Sequence, residues 1–144
     1  MHSTIISLSG HTCEEELFEW TKGRGVDYVT KMDDLTYARY ILDAIGTVDS
    51  GNHVHVDFDK LDSYLKEAYE FFESKIKNFT YENFCDSFKV HELQWALDDE
   101  LSVMIYSEYA GLQTWFSFLR MLHKGKDNPE LQTWTINQLF DYHY

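Results

Sequence analysis

HELQWALDDELSVMIYSEYAGLQTWFSFLRML, running from His91 to Leu122, is the longest periodic stretch of the chain, and its reading decides the predicted fold. Leu93, Leu97, Leu101, Met104, Ile105, Leu112, Trp115, Phe116, Leu119 and Leu122 follow one another at the spacing of a single helical face. The pattern predicts one long helix, or two helices broken near Gly111. Lys124-Gly125-Lys126 supplies a stop. Asp127 or Asn128 then caps a final helix with Pro129 at its first position, carrying Leu131, Trp134, Ile136, Leu139 and Phe140.

Upstream the same logic yields more helix. Asp59 opens an amphipathic segment with Leu61, Tyr64, Leu65, Ala68, Phe72 and Ile76 on one face and Lys66, Glu67, Glu70, Glu73 and Lys77 on the other. A short helix is predicted from Tyr81 to Phe88. Asp33 or Asp34 starts another, with Leu35, Ala38, Ile41, Leu42 and Ile45, closing at Gly46. Thr12 caps a first helix whose opening turn holds Glu14, Glu15 and Glu16, with Leu17 and Trp20 on its apolar side and Gly23 to Gly25 at its end. Strand signals are confined to Ser3–Leu8, Val26–Thr30 and His53–Phe58, the last preceded by the turn Asp49-Ser50-Gly51-Asn52. The predicted architecture is α+β and mostly helical: five to six helices and a small N-terminal sheet of two or three strands. An all-α fold is the alternative.

The 144 residues suit a single acidic globular domain spanning 1–144, and an apolar fraction of 44% supports a packed core. Cys13 and Cys85 are the only cysteines and form no CxxC pair, which predicts free thiols in a reducing compartment. No basic region followed by an apolar run opens the chain, and no stretch is apolar enough to span a bilayer. A cytoplasmic protein is expected.

Charge is the main clue to function. The chain has 25 Asp and Glu against 12 Lys and Arg, a net charge of −13. This exceeds the roughly 2 to 8 charges that keep a small domain soluble. Nucleic acids and anionic membranes are repelled, and a basic protein surface is the complement.

Chemistry has one candidate, His53-Val54-His55-Val56-Asp57. Alternate residues of a strand share a face, so two imidazoles and a carboxylate would project together, a donor set suited to zinc or iron. The other histidines show no HExxH-like spacing to complete it, and alternating polar residues also mark a half-exposed strand. No GxSxG elbow or activated-thiol signature is present, and Gly23-Arg24-Gly25 lacks the P-loop lysine. The prediction is a non-enzymatic protein with no catalytic residue, cofactor or metal. A small metal-dependent enzyme built on His53, His55 and Asp57 is the competing reading.

Two windows hold no Lys or Arg: Tyr40 to Asp59, with Asp43, Asp49, Asp57 and Asp59, and Val90 to Leu119. The second supplies the predicted partner-binding patch: Glu92, Asp98, Asp99, Glu100, Tyr106, Glu108 and Tyr109. Carboxylates one helical turn apart lie roughly 5 to 6 Å from each other, near the spacing of duplex phosphates. Tyrosine adds a rigid apolar body with a hydrogen-bonding tip. The functional expectation is an inhibitor of a basic, nucleic-acid-handling protein, acting by nucleic-acid mimicry. A phage-encoded anti-defence protein directed at a nuclease, restriction enzyme or CRISPR-type effector is the form envisaged. An immunity protein or antitoxin that neutralises a toxin enzyme is the alternative.

Overall fold

The computed structural model describes residues 2–8, 15, 17, 19, 22–23, 28–97 and 103–143. Its strands are β1 (His2–Ser7), β2 (Tyr28–Met32), β3 (Gly46–Val48), β4 (His53–Val56), β5 (Val103–Ser107), β6 (Gly111–Thr114), β7 (Thr133–Thr135) and β8 (Gln138–His143). Its helices are α1 (Thr36–Asp43), α2 (Phe58–Lys77), α3 (Tyr81–Phe84), α4 (Ser87–Leu97) and α5 (Trp115–Lys124), and a 3-10 turn covers Pro129–Leu131. Glu15, Leu17 and Glu19 are also helical. Of the first predicted helix, Thr12, Glu14, Glu16 and Trp20 lie outside the described residues.

Two sheets replace the small N-terminal one. The larger runs β2-β8-β1-β5-β6, with β1 and β5 parallel and every other pair antiparallel. The smaller is an antiparallel set, β3-β4-β7. The mostly helical expectation is therefore overturned, and so is its all-α alternative. Within His91–Leu122 the supposed stripe contains the β5–β6 hairpin, closed at the Ser107–Gly111 pair, with Gly111 in the left-handed region at φ 71°. Beyond it the predicted final helix is the 3-10 turn followed by β7 and β8.

The cause is burial on both faces of the large sheet. Ile6 of β1, Val103 and Ile105 of β5 and Leu139 of β8 face a core shared with α1, α2 and α5, built around Leu42, Leu61, Phe118 and Leu122. Their neighbours Ile5, Tyr106, Phe140 and Tyr142 face a second core that includes Val29 and Leu17. A strand covered on both sides carries apolar residues at nearly every position, and such a run satisfies helical spacing as readily as strand alternation.

The predicted α1 and α2 segments do form. Asp57 opens α2, its carboxylate accepting from the backbone N–H of Asp59 at 3.0 Å and of Lys60 at 3.3 Å, while Lys75 and Lys77 complement the negative last turn. Thr114 caps α5 by accepting from Ser117 N–H. No helix among the described residues is long and apolar enough to cross a membrane.

Candidate functional site

The predicted patch is not gathered into one exposed surface by the residues that are described. Glu92 is exposed on α4 and pairs with Lys89 at 3.0 Å. Glu108 and Tyr109 are exposed at the tip of the β5–β6 hairpin, where Tyr109 borders a depression that also contains Arg120 and Lys124. Tyr106 is buried: its strand position, in phase with Met104, turns it into the second core. Asp98, Asp99 and Glu100 lie outside the described residues.

The histidine motif folds differently from its predicted donor set. His53 and His55 do share the outward face of β4, but they converge on Asp49 and not on Asp57. His53 Nδ1 lies 3.1 Å from both carboxylate oxygens of Asp49, and His55 Nε2 lies 3.3 Å from Oδ2. Asp57 has left the strand and is occupied as the α2 cap. Asp49 is also a turn residue, accepting from the backbone N–H of Gly51 and of His53. These contacts hold its carboxyl down to about 2, the His53 N–H bond contributing most and partial desolvation opposing it. Arg39 closes the turn, donating to the Asp49 carbonyl at 2.8 Å and to Asn52 Oδ1 at 2.7 Å. Among the described residues no group of three or more His, Cys, Asp or Glu is arranged to hold a metal ion.

Acidic and tyrosyl side chains meet elsewhere, along α2. Three depressions of about 360, 510 and 360 Å³ run into one another through Tyr64, which lines all three. At one end α1 contributes Tyr37, Tyr40 and Asp43; in the middle α2 contributes Asp59, Ser63 and Glu67; at the far end Phe71, Phe72, Ala96 and Phe116 form an apolar floor. Asp59, Ser63 and Glu67 are four residues apart in sequence, so the helix stacks them on one face, one turn above another.

Packing fixes the centre of this trough. Trp115 donates its indole N–H to the Tyr64 hydroxyl at 3.0 Å, and the two rings meet edge to face at 6.1 Å. Phe116 bridges Tyr64 and Phe72, with centroids at 6.4 and 5.4 Å. The charges remain free. Asp43, Asp59 and Glu67 are exposed, and none of their carboxylates pairs with a Lys or Arg among the described residues. Lys60, the cation in the lining, points its ammonium at two backbone carbonyls, Asp43 O at 3.2 Å and Gly46 O at 2.9 Å. Tyr40 is 75% exposed at the rim. The chemistry of this lining is suited to cations: a carboxylate attracts a guanidinium or ammonium group, and a tyrosine face adds cation–π contact at about 0.5 to 1 kcal/mol.

Part of this trough was visible in the sequence. Tyr40, Asp43 and Asp59 belong to the first Lys- and Arg-free window, and the four-residue spacing of Asp59, Ser63 and Glu67 marks a face. What the sequence does not reveal is that the end of α1 comes up against the first turns of α2, where Lys60 reaches the Asp43 carbonyl, which brings the two groups together. Comparison with known protein families, with curated proteins and with solved structures finds no match.

Proposed function

We propose that this chain is a non-enzymatic binding protein that captures a basic, nucleic-acid-handling protein and inhibits it by occupying its cationic groove with the trough along α2. The observation that carries the reading is the convergence of Asp43, Asp59 and Glu67 with Tyr37, Tyr40 and Tyr64 while Lys60 is engaged by backbone carbonyls. A net charge of −13 supports it, because the long-range field steers a cationic partner and repels nucleic acid. On α2 the carboxylates of Asp59 and Glu67 stand two turns, about 12 Å, apart along the axis with Ser63 between them, so the mimicry element rests on their negative charge and not on a match to phosphate spacing.

The test uses a nona-arginine peptide and the native cell extract in parallel. Calorimetry should detect peptide binding that weakens steeply as salt rises, and that drops at least about tenfold when Asp43, Asp59 and Glu67 are changed to Lys. From extract, the unmodified protein should retain a nucleic-acid-handling enzyme and reduce its activity, and the triple variant should do neither. Equal binding and inhibition by the triple variant would rule out the trough.

A further inference from the structure

Among the described residues, most of the exposed large apolar side chains fall in one stretch of the chain. Tyr69, Phe71, Tyr81, Phe84, Phe88 and Trp95 lie between the second half of α2 and the end of α4, with exposures from 51% to 81%. Ile76, on the same segment, is 56% exposed. Scattered exposed hydrophobes are ordinary in a folded protein; this many large ones on one short stretch mark an interface.

The geometry of α4 sharpens the point. None of its residues is buried. Val90, Leu93 and Leu97 are half-buried and share one side of the helix, whereas Phe88 and Trp95, seven positions apart and so about 20° from one another around the axis, occupy the opposite side. His91 stacks on Trp95 with ring centroids 4.1 Å apart, extending the flat apolar surface. A helix that is apolar on two opposite sides belongs inside a structure, and this chain covers only one of them.

We propose that this helical arm, residues 69–97, is a self-association surface through which two copies of the chain pair about a twofold axis. The area suits a weak dimer. Aromatic side chains offer roughly 150 to 250 Å² each, so at the observed exposures Tyr81, Phe84, Phe88 and Trp95 present on the order of 500 Å², below the roughly 800 Å² per partner of a standard interface; Tyr69 and Phe71, two positions apart and so about 160° from one another around α2, cannot both join them. Charge selects a second copy over a basic partner. The arm carries Lys75, Lys77 and Lys89 among its carboxylates, and two of these pair locally, Lys77 with Glu73 at 2.8 Å and Lys89 with Glu92 at 3.0 Å. A basic surface would meet those lysines. An identical arm meets a mixed, largely neutralised surface, and in a chain of net charge −13 such a region allows two copies to approach.

Phe71 also lines the far end of the trough, so the two surfaces adjoin there; the inference does not otherwise rest on that reading, and salt separates the two. Screening of mutual repulsion should tighten self-association as salt rises, whereas it weakens capture of a cationic peptide. Sedimentation velocity from about 1 µM to about 200 µM, a range that brackets a weak to moderate dimer, should show a monomer passing to a dimer at lower concentration in high salt. Changing Phe84 and Trp95 together to Ser should raise the dissociation constant about 30-fold or more. Both side chains are exposed, so circular dichroism of the variant should match the parent. Cys85, exposed beside Phe84, gives a second readout. In a Cys13→Ser background a short bismaleimide should link two chains through Cys85, and adding the two serines should abolish the link. A protein that stays monomeric over the whole range, or a dimer untouched by the double change, would overturn the proposal.

Discussion

Trp115 and Tyr64 are joined by an indole-to-hydroxyl hydrogen bond of 3.0 Å that ties α5 to α2 at the wall of the trough. Trp115 is only 3% exposed, so its N–H has no easy substitute in water. Tyr64→Phe keeps the ring and removes the acceptor. It should cost about 1 to 2 kcal/mol and lower the melting temperature by about 4 °C, measured by circular dichroism. If Trp115→Phe is combined with it, the two losses should fall short of additive, since each removes the same bond.

Asp49 makes stability depend on pH in a defined window. Its carboxyl titrates near 2 in the folded chain against an ordinary 3.8, so the folded state favours the ionised form. The contribution is complete above pH 3.8 and is lost as the pH falls towards 2. Asp49→Asn lacks it at every pH. The urea midpoints of parent and variant should therefore differ most above pH 4 and converge towards pH 2.

Two glycines of the same hairpin should respond differently to alanine. A Cβ on Gly46 would sit 2.2 Å from the His55 carbonyl oxygen, a backbone atom held in the β3–β4 ladder. Gly46→Ala should destabilise the fold by more than about 2 kcal/mol. A Cβ on Gly51 meets the His53 ring at 2.9 Å, and that exposed side chain can swing aside. Gly51→Ala should cost less than about 1 kcal/mol in the same urea titration. Similar losses at both positions would contradict the assigned contacts.

Asp57 distinguishes a cap from a metal ligand. As the cap of α2, its replacement by Ala should cost about 1 kcal/mol, and Asp57→Ser should restore most of that, because a serine hydroxyl accepts the same N–H bonds. A ligand role predicts the reverse, with Ser as damaging as Ala to any metal retained. Urea titration with metal analysis of untagged protein decides between them.

The helices α1 and α2 were legible because each buries one side only. Ala38 and Leu42 of α1, and Leu61 of α2 with the half-buried Tyr64, Leu65, Ala68 and Phe72, recur at the helical period, and their ends carry ordinary stop and start residues. The turn at Asp49 to Asn52 was equally plain, since Asn52 takes a positive φ of 61° that asparagine tolerates. β5 and β8 were not. Val103, Ile105, Tyr106 and Ser107 are all buried, as are Gln138, Leu139, Phe140 and Tyr142, so neither strand alternates in polarity. Thr133, Trp134 and Thr135 of β7 do alternate, exposed, buried and exposed, but three residues are too short a pattern to outweigh the helical stripe around them. The trough was half legible: Asp43 and Asp59, two of its three carboxylates, sit in a window free of basic residues, but the approach of α1 to α2 is a tertiary fact. Tyr106 shows the opposite failure, a tyrosine assigned to the surface from its acidic neighbours when strand phase turned it inward.

Among the described strands β2 pairs only with β8, which follows it after about a hundred residues of chain. A nascent polypeptide leaving the ribosome therefore carries β2 with its hydrogen-bonding edge open until the intervening hundred or so residues and β8 have emerged. Closing so long a loop is slow, and in that interval the unpaired edge is available to chaperones or to other incomplete chains.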